Sequence, residues 1–201
     1  MKNLLIATLF MLVSINANAT LITTVFDHDT FNIGDTVSAY IQVQDIEADA
    51  LGFQKLISGF GISLAYDESL LAISSFGFGD KLNVDPFGPS TQNFNDAVLG
   101  QLVMSELSFA WFDDLFAAQS AFEEFNLITI NFVALTQGDA NFNILSAALA
   151  DDFGSSFSNL QVLDSSVSIV GATQVPEPSS MGLMLLALLL VTRLPTKVAK
   201  R

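Results

Sequence analysis

The 201-residue chain is 51% hydrophobic and acidic, with 21 acidic side chains against 7 basic ones and a formal net charge of −14. A surface this negative repels phosphate backbones and anionic headgroups, so nucleic acid is excluded as a partner. The chain has no cysteine, which excludes disulfides, cysteine nucleophiles, zinc–thiolate sites and iron–sulfur clusters.

The first 19 residues predict a signal peptide. Lys2 is followed by an apolar stretch from Leu4 to Val13 and then by Ala17-Asn18-Ala19. A positive start, an apolar stretch too short to span a membrane comfortably and an A-x-A site are typical of a segment that signal peptidase removes. We therefore expect residues 1–19 to direct export and cleavage to follow Ala19.

Residues 20–174 form the predicted folded domain, and alternating apolar positions predict its β-strands. These positions are Val37, Ala39, Ile41 and Val43, then Phe60, Ile62, Leu64 and Tyr66, then Ile73, Phe76 and Phe78, then Leu107, Phe109 and Trp111, then Ile128, Ile130, Phe132 and Ala134, then Phe142 and Ile144, and finally Val167 and Ile169. Short strands that do not alternate with long helices predict an all-β sandwich. In DDLFAAQSAFEEF the apolar spacing allows one short helix.

The aromatic residues and one long loop bear on recognition. Most of the 18 phenylalanines are expected in the core, because Phe brings apolar area without a polar atom; the alternative is an exposed aromatic binding surface. The segment Gly79–Gly100, with Phe87 and Phe94, is predicted to be a long recognition loop.

The order of these motifs resembles the cohesin-like family of β-sandwiches. Gly34-Asp35-Thr36-Val37 is similar to the family's entry to an early strand, and Tyr66-Asp67-Glu68-Ser69-Leu70-Leu71 to its turn. The similarity covers about residues 25 to 170. It implies a single jelly-roll-like sandwich and, in cellulosomes, a role in docking partner modules. This chain has one such domain and no dockerin-like duplicated calcium loop.

No motif for catalysis is found, so the chain is not expected to be an enzyme. His28 is the single histidine, and no G-x-S-x-G, P-loop or H-E-x-x-H motif occurs. Adjacent or near-adjacent acids occur at Asp27 and Asp29, Asp113 and Asp114, Glu123 and Glu124, and Asp151 and Asp152. Calcium is the cation that exposed carboxylates would suit, but no D-x-[DN]-x-[DN]-G loop exists. We assign no catalytic, metal or ligand-binding residue.

An apolar run with a basic end closes the sequence and predicts a short transmembrane helix at about residues 180–192. At 1.5 Å per residue its dozen core residues cover roughly 18 Å of a hydrocarbon layer about 30 Å thick. The positive-inside rule places the basic end in the cytoplasm; its residues are Arg193, Lys197, Lys200 and Arg201.

The segment from residue 175 to 201 resembles the PEP-CTERM sorting signal of Gram-negative bacteria. The similarity rests on the motif, the apolar run and the basic end in that order, the motif being Val175, Pro176, Glu177 and Pro178. It implies recognition by exosortase, a membrane transpeptidase, removal of the tail, and release to the cell surface or an exopolysaccharide-rich matrix. The alternative is a permanent tail anchor.

Three functions follow as hypotheses. The favoured one is an exported, non-catalytic surface or matrix protein, held transiently at the cytoplasmic membrane, whose sandwich binds protein or glycan. The alternatives are a carboxylate-dependent extracellular hydrolase and a purely structural matrix component. A hydrolase needs convergent acids in a cleft, whereas a binding module exposes aromatic side chains.

Overall fold

The computed structural model describes residues 19–49 and 51–171, which fold as a β-sandwich. Its elements in chain order are β1 (Thr20–Phe26), β2 (Thr30–Asn32), β3 (Thr36–Gln44), β4 (Ile57–Tyr66), β5 (Leu71–Phe78), β6 (Thr91–Val98), β7 (Gln101–Leu107), α1 (Phe112–Gln119), β8 (Phe125–Ala134), β9 (Gly138–Asp151), β10 (Leu160–Leu163) and β11 (Ser165–Val170). The predicted all-β sandwich is confirmed.

Two sheets make the sandwich. The five-stranded sheet has the order β10-β1-β3-β8-β5, and the six-stranded sheet has the order β2-β11-β9-β4-β7-β6. Most neighbours are antiparallel, but β1 pairs with β10 and β2 pairs with β11 in parallel. Within the described residues, the first strand therefore lies inside one sheet, while the last strand lies inside the other.

The core lies between the two sheets. Successive side chains of a strand point to opposite faces, so every second side chain enters the core. In β3, β4 and β8 all but one of the inward residues that the sequence predicts are buried: Val37, Ala39, Ile41, Val43, Phe60, Ile62, Leu64, Ile128, Ile130, Phe132 and Ala134. The exception is Tyr66 at the end of β4, which is half-buried. Aromatic contacts join the two sheets, as where the rings of Phe132 in β8 and Phe142 in β9 lie 5.5 Å apart. Alternation in these strands thus specifies both the element and the buried face.

The predicted loop from Gly79 to Gly100 is wrong over its second half, which is strand β6. This strand lies at the edge of its sheet and pairs only with β7. All of its residues except Phe94 are exposed, so the sequence shows no alternation. The ring of Phe94 stacks on that of Phe76 in β5 at 3.8 Å.

The strand predicted through Leu107, Phe109 and Trp111 is also wrong. Strand β7 ends at Leu107, and its inward residues are Leu102, Met104 and Glu106. All three predicted positions are exposed. The error arose because Glu106, a buried carboxylate, occupies an inward position where an apolar residue was expected.

The expectation that phenylalanine is mostly core holds for only about half of the described positions. Phenylalanines exposed to solvent are Phe53, Phe76, Phe87, Phe109, Phe112, Phe116, Phe122 and Phe153. Most of these lie in connections rather than in strands, and several belong to one surface. The exposed aromatic surface that the sequence left as the alternative is therefore present.

The predicted short helix is confirmed as α1, which has eight residues. Within residues 19–49 and 51–171, no helix has the length and apolar character needed to cross a membrane. The predicted signal peptide, sorting motif, transmembrane segment and basic end lie outside the described residues.

Candidate binding groove

Four long connections meet at one end of the sandwich, which we call the long-loop end. They are the β3–β4, β5–β6, β7–β8 and β9–β10 connections, covering residues 45–56, 79–90, 108–124 and 152–159. They share one end because strands β3, β5, β7 and β9 all finish there and β4, β6, β8 and β10 begin there. Connections on a rigid scaffold are where binding residues concentrate.

An apolar cavity of about 310 Å³ opens between three of these connections. We call it the aromatic groove, and its lining residues are Asp49, Phe53, Gln54, Lys55, Leu56, Phe112, Phe116, Asp151, Asp152 and Phe153. Phe53 and Phe153 are 68% and 87% exposed. Large apolar side chains left open to water beside a cavity mark a surface that another molecule covers.

Helix α1 supplies one wall of the groove. Phe112 and Phe116 are four residues apart, so they lie on the same helix face, and their rings are 5.8 Å apart and nearly parallel. Trp111 precedes them as the N-cap residue and is 72% exposed. Asp113 and Asp114 lie in the first turn, where negative charge suits the helix dipole.

A buried glutamine fixes α1 to the sandwich. The Gln119 side chain accepts a hydrogen bond from the Ile57 backbone N–H at 2.8 Å and donates to the Ile57 carbonyl at 2.7 Å. It also donates to the Lys81 carbonyl at 3.0 Å. Because the residue is 0% exposed, these bonds form away from water and hold the helix at the start of β4.

A buried glutamate fixes the opposite walls. Glu47 pairs with Lys55 in its own connection and accepts hydrogen bonds from the Ser158 and Asn159 backbone N–H groups, each at 3.3 Å. Burial opposes its ionisation, but the hydrogen bonds from Lys55, Ser158 and Asn159 outweigh burial, and the pKa of Glu47 lies below its ordinary value. The charged carboxylate therefore ties the β3–β4 and β9–β10 connections together.

Three carboxylates line the aromatic groove: Asp49, Asp151 and Asp152. One oxygen of Asp49 accepts from the Leu51 and Phe53 N–H groups at 2.8 and 2.9 Å. One oxygen of Asp151 accepts from the Phe153 and Ser155 N–H groups at 3.0 and 2.8 Å. Burial, and secondarily the neighbouring Asp151, raises the pKa of Asp152. The two turns present Phe53 and Phe153 to solvent and place carboxylates in the lining of the groove.

Both basic side chains of the described residues are already engaged. Lys55 pairs with Glu47 and lies 5.2 Å from the centre of the Phe157 ring. Lys81 lies 3.7 Å from the Asp80 carboxylate and 4.0 Å from the centre of the Phe122 ring. Neither is paired with a groove aspartate within the part of the chain that the structure describes.

The structure separates the residues that the sequence singled out. His28 is exposed in the turn after β1, at the end of the sandwich opposite the aromatic groove. The pair Asp151 and Asp152 lines the groove, whereas Asp27 and Asp29 lie at the opposite end. Among residues 19–49 and 51–171, no group of three or more His, Cys, Asp or Glu side chains is placed to hold a metal.

No family model matches the chain, and no curated protein matches it. Solved structures do. A type II cohesin domain from the cellulosome of Acetivibrio cellulolyticus aligns with a TM-score of 0.59 at 17% identity, over 74% of this chain and 95% of that one. A non-cellulosomal cohesin from Archaeoglobus fulgidus gives 0.54 at 13% identity, over 82% and 97%.

A third match is to a chain of a type I cohesin–dockerin complex from Clostridium thermocellum. Its TM-score is 0.53 at 15% identity, over 75% of this chain and 99% of that one. At these identities the similarity establishes the fold, which is that of a cohesin-like β-sandwich. The cohesin-like fold implied by the sequence motifs is therefore confirmed.

Proposed function

We propose that this chain is an exported, non-catalytic module that binds a protein partner through the aromatic groove. The fold supports the class of function, since one of the similar structures is a cohesin in complex with its dockerin. The place of binding comes from this chain's own surface. Binding a partner through side chains of the long connections requires no catalytic group.

The observation that carries the proposal is the set of exposed phenylalanines around one cavity. Phe53, Phe112, Phe116 and Phe153 lie in three different connections, yet all line the aromatic groove. Aromatic side chains in a central pocket contribute most of the binding energy in many protein interfaces. The buried Gln119 and Glu47 hold the walls in place, which reduces the entropy lost when a partner binds.

The remainder of the chain supports a proposal about location. Residues 1–19 act as the signal peptide, residues 20–174 as the sandwich, and residues 175–201 as a PEP-CTERM sorting signal. Exosortase recognises Pro176-Glu177-Pro178 while the apolar run and basic end hold the protein at the membrane. The sandwich is then displayed at the cell surface or in the extracellular matrix.

Photo-crosslinking in cells that produce the protein tests the binding function. Benzoylphenylalanine replaces Phe116, or Phe53 in a second variant, and light is applied before extraction. We expect discrete adducts of higher mass that protease digestion shortens. The matched control carries the same crosslinker at Thr129, on the outer face of β8 in the five-stranded sheet, and should give none.

Two results would contradict this proposal. If Phe53, Phe116 and Thr129 all give the same adducts, the groove has no special role in binding. If the groove adducts resist protease but shorten with a glycosidase, the partner is a glycan and the protein-binding function is wrong.

A further inference from the structure

We infer that the aromatic groove takes a cationic amphipathic segment, in which Lys or Arg residues flank apolar anchor side chains. This inference rests on the proposed binding function and specifies the chemistry of the partner. The groove joins two properties in one place, exposed phenylalanine rings and carboxylate side chains. A partner must satisfy both in order to fill it.

The charge of the groove lining gives the sign of the partner. Asp49, Asp151 and Asp152 line the groove. Lys55 also lines it but is paired with Glu47, and Lys81 lies outside the lining beside Asp80. Residues 20–174 as a whole carry 20 acidic and 2 basic side chains. Such a field attracts cationic segments and repels anionic ones before contact.

Adjacent carboxylates at the groove wall also gain from a cation. Asp151 is buried and Asp152 is half-buried, so water screens their mutual repulsion poorly. The raised pKa of Asp152 reflects that burial and the neighbouring charge. A Lys or Arg side chain placed beside Asp152 would favour the ionised form of its carboxyl group.

The size of the groove limits what enters it. Its volume of about 310 Å³ is at the lower end of pockets that enclose small ligands, roughly 300–1,000 Å³. One or two apolar side chains therefore fill it. The flanking cations lie beside the groove carboxylates, where they also face the exposed phenylalanine rings.

Fluorescence titration of the full-length protein tests this inference. The chain contains one tryptophan, Trp111, which precedes Phe112 and reports on the groove. The probes are two 14-residue peptides with the same leucine positions, one with lysine and the other with glutamate at the polar positions. The titration uses nonionic detergent, with detergent alone as the blank.

We expect the lysine peptide to change the Trp111 emission saturably and the glutamate peptide to leave it unchanged. The double variant Asp49→Asn/Asp152→Asn keeps side-chain acceptors but removes two charges, and should weaken binding about three- to tenfold. The matched control, Glu68→Gln/Asp139→Asn, removes two charges at the other end and should stay within about twofold. Phe116→Ser should weaken binding about tenfold, whereas Leu99→Ser should not.

The outcomes separate the inference from the function on which it rests. Equal binding of both peptides, with loss in Phe116→Ser, overturns the cationic partner but leaves the binding groove. Equal weakening by the two charge-removal pairs shows general attraction to the acidic domain and overturns the site. A response to cellohexaose and to neither peptide assigns the groove to a glycan, which overturns both.

Discussion

At the scale of single residues, Glu47 holds together several segments around the groove, although it lies in a loop. Its carboxylate joins Lys55, Ser158 and Asn159, and its backbone N–H donates to the Thr20 hydroxyl at 2.8 Å. These contacts bring together the start of β1 and two connections more than a hundred residues apart. Loss of the charge should therefore loosen the groove walls and lower the stability of the fold.

Glu47→Gln should lower the free energy of unfolding by about 1–3 kcal/mol at pH 7, because it leaves Lys55 without its partner. The pKa of Glu47 is lowered in the folded state, so its stabilisation is complete above the unfolded pKa of about 4.3. It is lost as pH falls through the lower, folded pKa. Urea unfolding of both proteins between pH 7 and pH 3 measures the difference.

The control for this prediction is Asp45→Asn, two residues earlier. Asp45 is exposed and has a φ of 50°, a conformation that Asn tolerates as well as Asp. Its effect at pH 7 should stay within about 0.5 kcal/mol. A Glu47→Gln difference of the same size at pH 3 as at pH 7 would show that the charge of Glu47 is not what stabilises the fold.

At the scale of elements, the sequence was informative where a strand is covered on one face. Strands β3, β4 and β8 are central and alternate cleanly, so Ile41, Ile62 and Ile130 could be placed in the core from the sequence alone. Strand β6 is at an edge and exposed on both faces, so burial leaves no period in TQNFNDAV. The hydrophobic pattern records burial, and an edge strand with little burial shows little pattern.

The aromatic groove could not be predicted for a different reason. Phe53, Phe112 and Phe153 are separated by more than forty residues in the sequence, and only the order of strands brings their connections to one end. A run of aromatic residues such as Phe109, Trp111 and Phe112 was visible, but exposed and buried phenylalanine look alike in a sequence. The sequence feature that could have identified the exposed phenylalanines is their position, because they lie near Asp, Gly and Ser in connections rather than within strands.

The junction between β5 and β8 supplies a prediction with an internal control. A Cβ atom at Gly79 would overlap the carbonyl oxygen of Asn126, whereas one at Gly77 would have no atom within 4 Å. Gly79→Ala should therefore lower the free energy of unfolding by about 2–4 kcal/mol. Gly77→Ala should leave it unchanged or raise it by up to about 1 kcal/mol.

Thermal or urea unfolding of the two alanine variants measures this pair. Gly79 also donates its N–H to the Leu127 carbonyl at 2.9 Å, which holds the start of the β5–β6 connection against β8. Equal stability of Gly79→Ala and Gly77→Ala would show that the backbone at this junction can shift to accept a Cβ atom at little energetic cost. The close approach of the two strands would then not be required by the fold.

At the scale of the whole molecule, most charged residues lie outside the strands. The strands of the five-stranded sheet contain no charged residue, and those of the six-stranded sheet contain four: Asp96, Glu106, Asp139 and Asp151. Most of the acidic side chains are therefore in the connections at the two ends. Such a distribution leaves the strands free to pack through uncharged side chains and gives the ends a negative field that attracts cations.

The described strands of the sandwich lie between the two proposed processing sites. Strand β1 begins at Thr20, whose N–H donates to the Asn159 carbonyl at 2.8 Å, so cleavage after Ala19 would leave the strand whole. The last strand, β11, ends at Val170, a few residues before Pro176-Glu177-Pro178. Removal of both ends would leave every strand of the sandwich in place.

We therefore predict a mature protein that begins at Thr20 and ends close to Pro176-Glu177-Pro178. A dozen apolar residues span roughly 18 Å of a layer about 30 Å thick, which suits a temporary hold. Replacing the three motif residues with alanine should leave export intact but keep the protein in the membrane fraction; Pro195→Ala, outside the motif, should not. Intact-mass measurement of native protein decides the matter, because a product that still carries residues 181–201 would make the tail a permanent anchor.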